Sequence, residues 1–167
     1  MPFKHWRFEQ YLSEKASVLS FPRPAYVHCN SPLDAIFDNS VRRAGHANPM
    51  TGEIVFQYPW CYDLMDYLDS PGSATEKELF SMHMFTHESM HVRGELNEQK
   101  TDCQAIQRDY IAGKLLGVPD HVAKRNALIY YEKYYVKHPY FSKQCAPEKN
   151  LDEKLNDSTW SELYQKK

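Results

Sequence analysis

The stretch His87-Glu88-Ser89-Met90-His91 combines residue types and a spacing suited to holding a metal ion and activating water. On a helix, positions i and i+4 share one face, so two imidazoles spaced this way can offer nitrogens to a single cation. Glu88 is turned from that face by about 100° per residue step. Its carboxylate can then reach a water beside the cation without becoming a ligand.

Two imidazoles need a third protein ligand, and catalysis needs a fourth position open to water. The downstream run Gly94-Glu95-Leu96-Asn97-Glu98-Gln99-Lys100-Thr101-Asp102 can supply the third. If Gly94 turns the chain, the next helix returns antiparallel. That puts Glu98 beside His91 and Asp102, one turn on, level with His87. Glu98 is therefore the expected third ligand. Asp102 is the expected outer carboxylate that fixes the orientation and tautomer of His87. The reverse assignment, with Asp102 on the metal, also fits the spacing.

The pair of motifs, His87-Glu88-x-x-His91 followed by Asn97-Glu98-x-x-Thr101-Asp102, resembles the gluzincin metallopeptidases of the thermolysin kind. The resemblance covers about residues 79–110. It implies zinc ligands His87, His91 and Glu98, a general base at Glu88, an outer-shell Asp102, and a peptide or protein substrate. The turn between the two motifs is far tighter here than in the large peptidases of that family, so the chain looks most like a compact bacterial or phage zincin. Gly94, three residues after His91, echoes the metzincins, but Asn97 stands where their third histidine falls. The resemblance also implies a strand edge along the substrate cleft, for which Glu53–Gln57 is the candidate. It implies as well a Tyr or His that stabilises an oxyanion, with Tyr110, His121, Tyr130, Tyr131, Tyr134, Tyr135, His138 and Tyr140 all available. The runner-up function is a non-catalytic zincin-like module whose zinc serves structure or regulation. A further rival dispenses with metal and makes the histidines core residues.

Several elements must position these residues. Thr75 and Glu78 form a capping-box signature, and the helix they start should run to about Arg93, where Gly94 stops it. Leu79, Phe80, Met82, Met84, Phe85, Met90 and Val92 point in nearly every direction around it, as on a helix buried on all sides. The methionines read as core filler. His83, one turn before His87, reads as a core histidine with a hydrogen-bond partner, and Glu95 as a solvated turn residue. A second helix should span about Asn97 to Gly117, and a third about Asp120 to His138, ended by Pro139. Upstream, a helix is expected over Phe3–Leu19, a strand over Ala25–Cys29 and a short helix from Ser31-Pro32. A hairpin should pair Ser40–Ala47 with Glu53–Gln57, with His46 at the cleft edge or in a surface loop, and a helix should span Trp60–Leu68. From Phe141 onward the polar tail should wrap the surface, pinned by Trp160. The expected class is α+β, a mainly helical single domain over residues 1–167 with a small sheet packed on the HExxH helix.

Composition sets the outer limits. The 167 residues can bury a substantial core, and 42% hydrophobic with 25% charged residues is ordinary for a globular chain. A formal charge of −2 leaves no excess of cations for phosphates, which disfavours nucleic acid. No apolar run approaches the roughly 18 residues that span a membrane. The opening MPFKHWRFEQ has no apolar leader core. Cys29, Cys61, Cys103 and Cys145 form no CxxC pair, which argues against a cysteine-ligated zinc. Four buried thiols in a cytoplasmic protein is the favoured reading. Two disulfides, Cys29–Cys61 and Cys103–Cys145, in a secreted form is the other.

Overall fold

A computed structural model of the chain describes residues 2–34 and 44–166. In order, its elements are α1 (Pro2–Leu19), β1 (Tyr26–Cys29), β2 (Gly45–Asn48), β3 (Glu53–Phe56), α2 (Trp60–Asp69), α3 (Glu76–Arg93), α4 (Glu98–Leu115) and α5 (Asp120–Ile129). The fold is α+β and mainly helical, with the small sheet packed on α3.

Helix α3 forms the centre. Thr75 Oγ1 accepts from the Glu78 N–H and Glu78 Oε2 accepts from the Thr75 N–H, so the capping box closes as its sequence dictates. Every residue from Ser81 to Met90 is buried, because α1, α2, α4 and the sheet all pack on this helix. Gly94 ends it with φ +125°, a backbone state that side chains resist, and its N–H returns to the carbonyls of Met90 and His91. Asn97 then caps α4, its Oδ1 accepting from Lys100 N–H at 3.0 Å.

The sheet order is β1-β3-β2, with β1 parallel and β2 antiparallel to β3. The expected hairpin forms between β2 and β3, starting at Gly45; residues 40–43 lie outside the described residues, as does the helix expected after Ser31-Pro32 beyond Asp34. Its turn depends on Gly52 (φ +79°), where an added Cβ would come 2.2 Å from the Pro24 carbonyl oxygen. Glu53–Gln57 does not form a cleft edge. β3 is the middle strand, paired on both sides, and β2 is the edge strand on the α3 side.

Two other expectations change. All four cysteines are paired, Cys29–Cys61 joining β1 to α2 and Cys103–Cys145 joining α4 to the C-terminal segment, with Cα separations of 5.9 and 5.5 Å. The buried free thiols read from the sequence are thus replaced by bridges, since tertiary packing brings residues 32 and 42 positions apart together. The third helix is not uniform to His138: after Ile129 it widens into a π-helical turn, Tyr130–Tyr134, then tightens into a 3-10 turn, Tyr135–Lys137. The C-terminal segment is pinned by fully buried Trp160, against Tyr131, and by Thr159, whose hydroxyl donates to the Ile106 carbonyl. Among the described residues no helix is long and apolar enough to cross a membrane.

Candidate metal centre

Helices α3 and α4 run antiparallel, matching Glu98 to His91, Asp102 to His87 and Asp109 to His83. Gly94 and the short turn after it set this register. Nε2 of His87, Nε2 of His91 and Oε2 of Glu98 converge, with separations of 3.1, 3.2 and 3.2 Å.

The other nitrogen of each imidazole is committed. His87 Nδ1 donates to Asp102 Oδ1 at 2.9 Å, and His91 Nδ1 donates to the Glu95 carbonyl at 2.7 Å. Once His87 gives up its second proton, both Nε2 atoms are lone-pair donors facing one another and a carboxylate oxygen. A single proton can lie along only one edge of that triangle. A metal ion satisfies all three atoms, and tetrahedral zinc bonds of about 2.0–2.1 Å imply ligand separations close to those found. The donor set, two imidazoles and a carboxylate, suits zinc. Among the described residues no fourth His, Cys, Asp or Glu joins this group.

The site opens outward. His87 is buried, but the Glu98 side chain is 44% exposed at the wall of a cleft of about 400 Å³. Gly45, His46 and Ala47 of strand β2 line it, as do the apolar side chains of Phe80 and Met84. The segment His138-Pro139-Tyr140 also lines it, and the Cys103–Cys145 bridge ties the chain just beyond that segment to α4.

Glu88 lines the same cleft while almost wholly buried, and among the described residues its Oε2 has no hydrogen-bond partner. Burial pushes its pKa up, against the pull of His87 and His91. Burial opposes charge on His87, yet its hydrogen bonds with Asp102 and Glu98 raise it to about 9. Glu98 is held down, first by its bond with His87. Asp102 is held well below the usual carboxylate range: burial works against this, but His83, His138 and His87 outweigh it.

The structure therefore brings His87, His91, Glu98 and Glu88 to one cleft and places Asp102 behind His87. Asp102 is fully buried and bound to imidazoles, with His138 Nδ1 3.0 Å from its Oδ2, so Glu98 rather than Asp102 faces the cleft. Glu95 is more than a solvated turn residue: its carbonyl holds His91, and its carboxylate accepts from the Leu96 and Asn97 N–H groups. Met84 is buried but forms part of the cleft wall. Of the eight downstream aromatic and imidazole candidates, His138 and Tyr140 line the cleft. Tyr130 instead stacks on His83, and Tyr110 lies under Lys114 and Lys124.

Sequence reading missed Asp109. It sits seven residues after Asp102 on the same face of α4, facing His83, which stands one turn before His87 on α3; that spacing was the available signal. Comparison with protein-family models, curated proteins and solved structures finds no match to this chain.

Proposed function

We propose that the chain is a zinc-dependent hydrolase acting on peptide bonds, with His87, His91 and Glu98 holding the ion and Glu88 as general base. The observation that carries this reading is the convergence of three metal-ligating atoms beside a Glu88 oxygen that has no partner among the described residues, in a cleft open to solvent. Three protein ligands with an open side are the arrangement of catalytic zinc sites, whereas structural sites are closed by four. A bound zinc ion would supply Lewis-acid polarisation of the scissile carbonyl and a lowered pKa for water, from 15.7 toward about 7.

The chain's own residues do the rest. Glu88, its basicity raised by burial, accepts the proton of the attacking water at its carboxylate. As the new C–O bond forms and the C–N bond breaks, it passes that proton to the departing amine nitrogen. Asp102 keeps a proton of His87 on Nδ1, so that Nε2 is the nitrogen that yields its proton to a metal ion. Among the described residues β2 is paired only with β3, so an extended peptide can pair with its other side in the cleft. His138 and Tyr140 also line the cleft, where they can donate to a developing oxyanion. The two disulfides support an oxidising compartment, so the reading extends to a secreted protein.

Glu88→Gln is the test: the variant should bind zinc like the wild type and lose turnover of a peptide library. Undiminished hydrolysis would overturn the mechanism.

A further inference from the structure

Behind the metal-ligand face lies a second, fully internal chain of polar contacts. His83, 1% exposed, has a carboxylate on each ring nitrogen: Asp102 Oδ1 2.8 Å from Nε2, and Asp109 Oδ2 2.8 Å from Nδ1. The ring stacks on Tyr130 with centroids 4.4 Å apart. Asp102 Oδ1 thus lies within hydrogen-bond distance of two imidazole nitrogens, His83 Nε2 and His87 Nδ1.

Such a cluster is poorly explained as a stability device. Burying two carboxylates and an imidazole is costly, and apolar side chains of similar volume commonly stabilise as well or better. Asp109 is buried, does not line the cleft, and leaves Oδ1 without a hydrogen-bond partner among the described residues. Its Oδ2 holds His83, with the Thr86 hydroxyl also acting on the carboxylate.

We propose that His83 is a positioning residue for the metal centre: oriented by Asp109, it donates Nε2–H to Asp102 and thereby fixes which nitrogen of His87 is left bare. The inference rests on the metal-dependent reading above. Wherever the proton between Asp109 and Nδ1 resides, Nε2 keeps its hydrogen for Asp102. Asp102 then remains an ionised acceptor with its Oδ1 fixed in place. His87 meets an acceptor at Nδ1 in every state, so its Nε2 lone pair is directed at Glu98 and His91. The positive charge is favoured by the same geometry: burial opposes it, but the carboxylates of Asp109 and Asp102 raise the pKa of His83 to about 10.

The test compares zinc affinity, by competition with a chromophoric chelator, in the wild type, His83→Gln, and the double variant His83→Leu with Asp109→Leu. The double variant removes the bridge without stranding a buried charge, and should bind zinc about 10–100-fold more weakly. His83→Gln, whose amide can still donate to Asp102, should recover most of the loss. A purely structural role would shift the metal-free melting temperature and leave affinity unchanged, so equal affinity in the double variant overturns the proposal. If that variant does not fold, nitrogen-15 NMR of the metal-free wild type decides: a proton on His83 Nε2 supports the proposal, and a bare Nε2 overturns it. A wild type that binds no zinc contradicts the metal reading itself, which keeps the two failures distinct.

Discussion

Nε2 of His87 and Nε2 of His91 lie 3.1 Å apart, while the other nitrogen of each ring is already bonded, His87 Nδ1 to Asp102 and His91 Nδ1 to the Glu95 carbonyl. Two lone pairs held at that distance repel unless a cation lies between them. Glu98 adds a third acceptor at the same point. The functional account grows from that relationship.

Removing Glu98 takes away one of the three converging donor atoms. Glu98→Ala is expected to lower zinc affinity by more than the roughly 100-fold that marks the upper range for outer-shell partners. Chelator competition checks this, and unchanged affinity would exclude Glu98 as a ligand.

Asp102→Asn keeps the shape but offers His87 Nδ1 either a donor or an acceptor. Zinc affinity should fall about 10–100-fold, with hydrolysis falling alongside. Because the variant also disturbs His83 and His138, its metal-free melting temperature should drop too. A loss of stability with unaltered affinity would argue that Asp102 merely packs.

Zinc binding should weaken as pH falls. In the metal-free chain His87 titrates at about 9, so below that pH the ion must displace a proton, and above it the competition ends. The sign also applies to folding. The folded pKa of His87 is raised, so its contribution to metal-free stability is present below its unfolded value of 6.5 and is lost as pH rises through about 9. Affinity measured from pH 6 to 9.5 should climb with a slope approaching about tenfold per pH unit and then level; a flat profile would contradict the proton displacement.

The Cys103–Cys145 bridge closes a separation of 42 residues and ties the chain just past Tyr140 to α4. Cys103→Ser with Cys145→Ser should cost about 4 kcal/mol by the chain-entropy argument. Chemical denaturation with and without reductant measures it. Thiol titration of the unreduced, unfolded wild type should find no free cysteine.

How much of this could be read from the sequence depends on how local the cause is. The capping box at Thr75, the stop at Gly94 and the cap at Asn97 are written within a few residues, so α3, α4 and the turn between them were legible. The convergence of His87, His91 and Glu98 followed, since i, i+4 spacing and one tight turn are enough to bring them together. The cleft was not legible. Whether β2 or β3 becomes the edge is decided by β1 pairing in parallel with β3 from far upstream. His138 and Tyr140 reach the site through a path no short-range pattern encodes, and the disulfide partners are chosen by the same long-range packing. Asp109 lay between these cases: its i, i+7 relation to Asp102 was visible, but only the antiparallel register gave it a partner in His83.

The most direct test of the central claim is zinc content. Purified, untagged protein, stripped of metal and then dialysed against dilute zinc, should retain about one equivalent per chain, and a His87→Ala, His91→Ala double variant should retain almost none, as expected for a single catalytic-type site. Less than half an equivalent in the wild type, not restored by added zinc, would contradict the account.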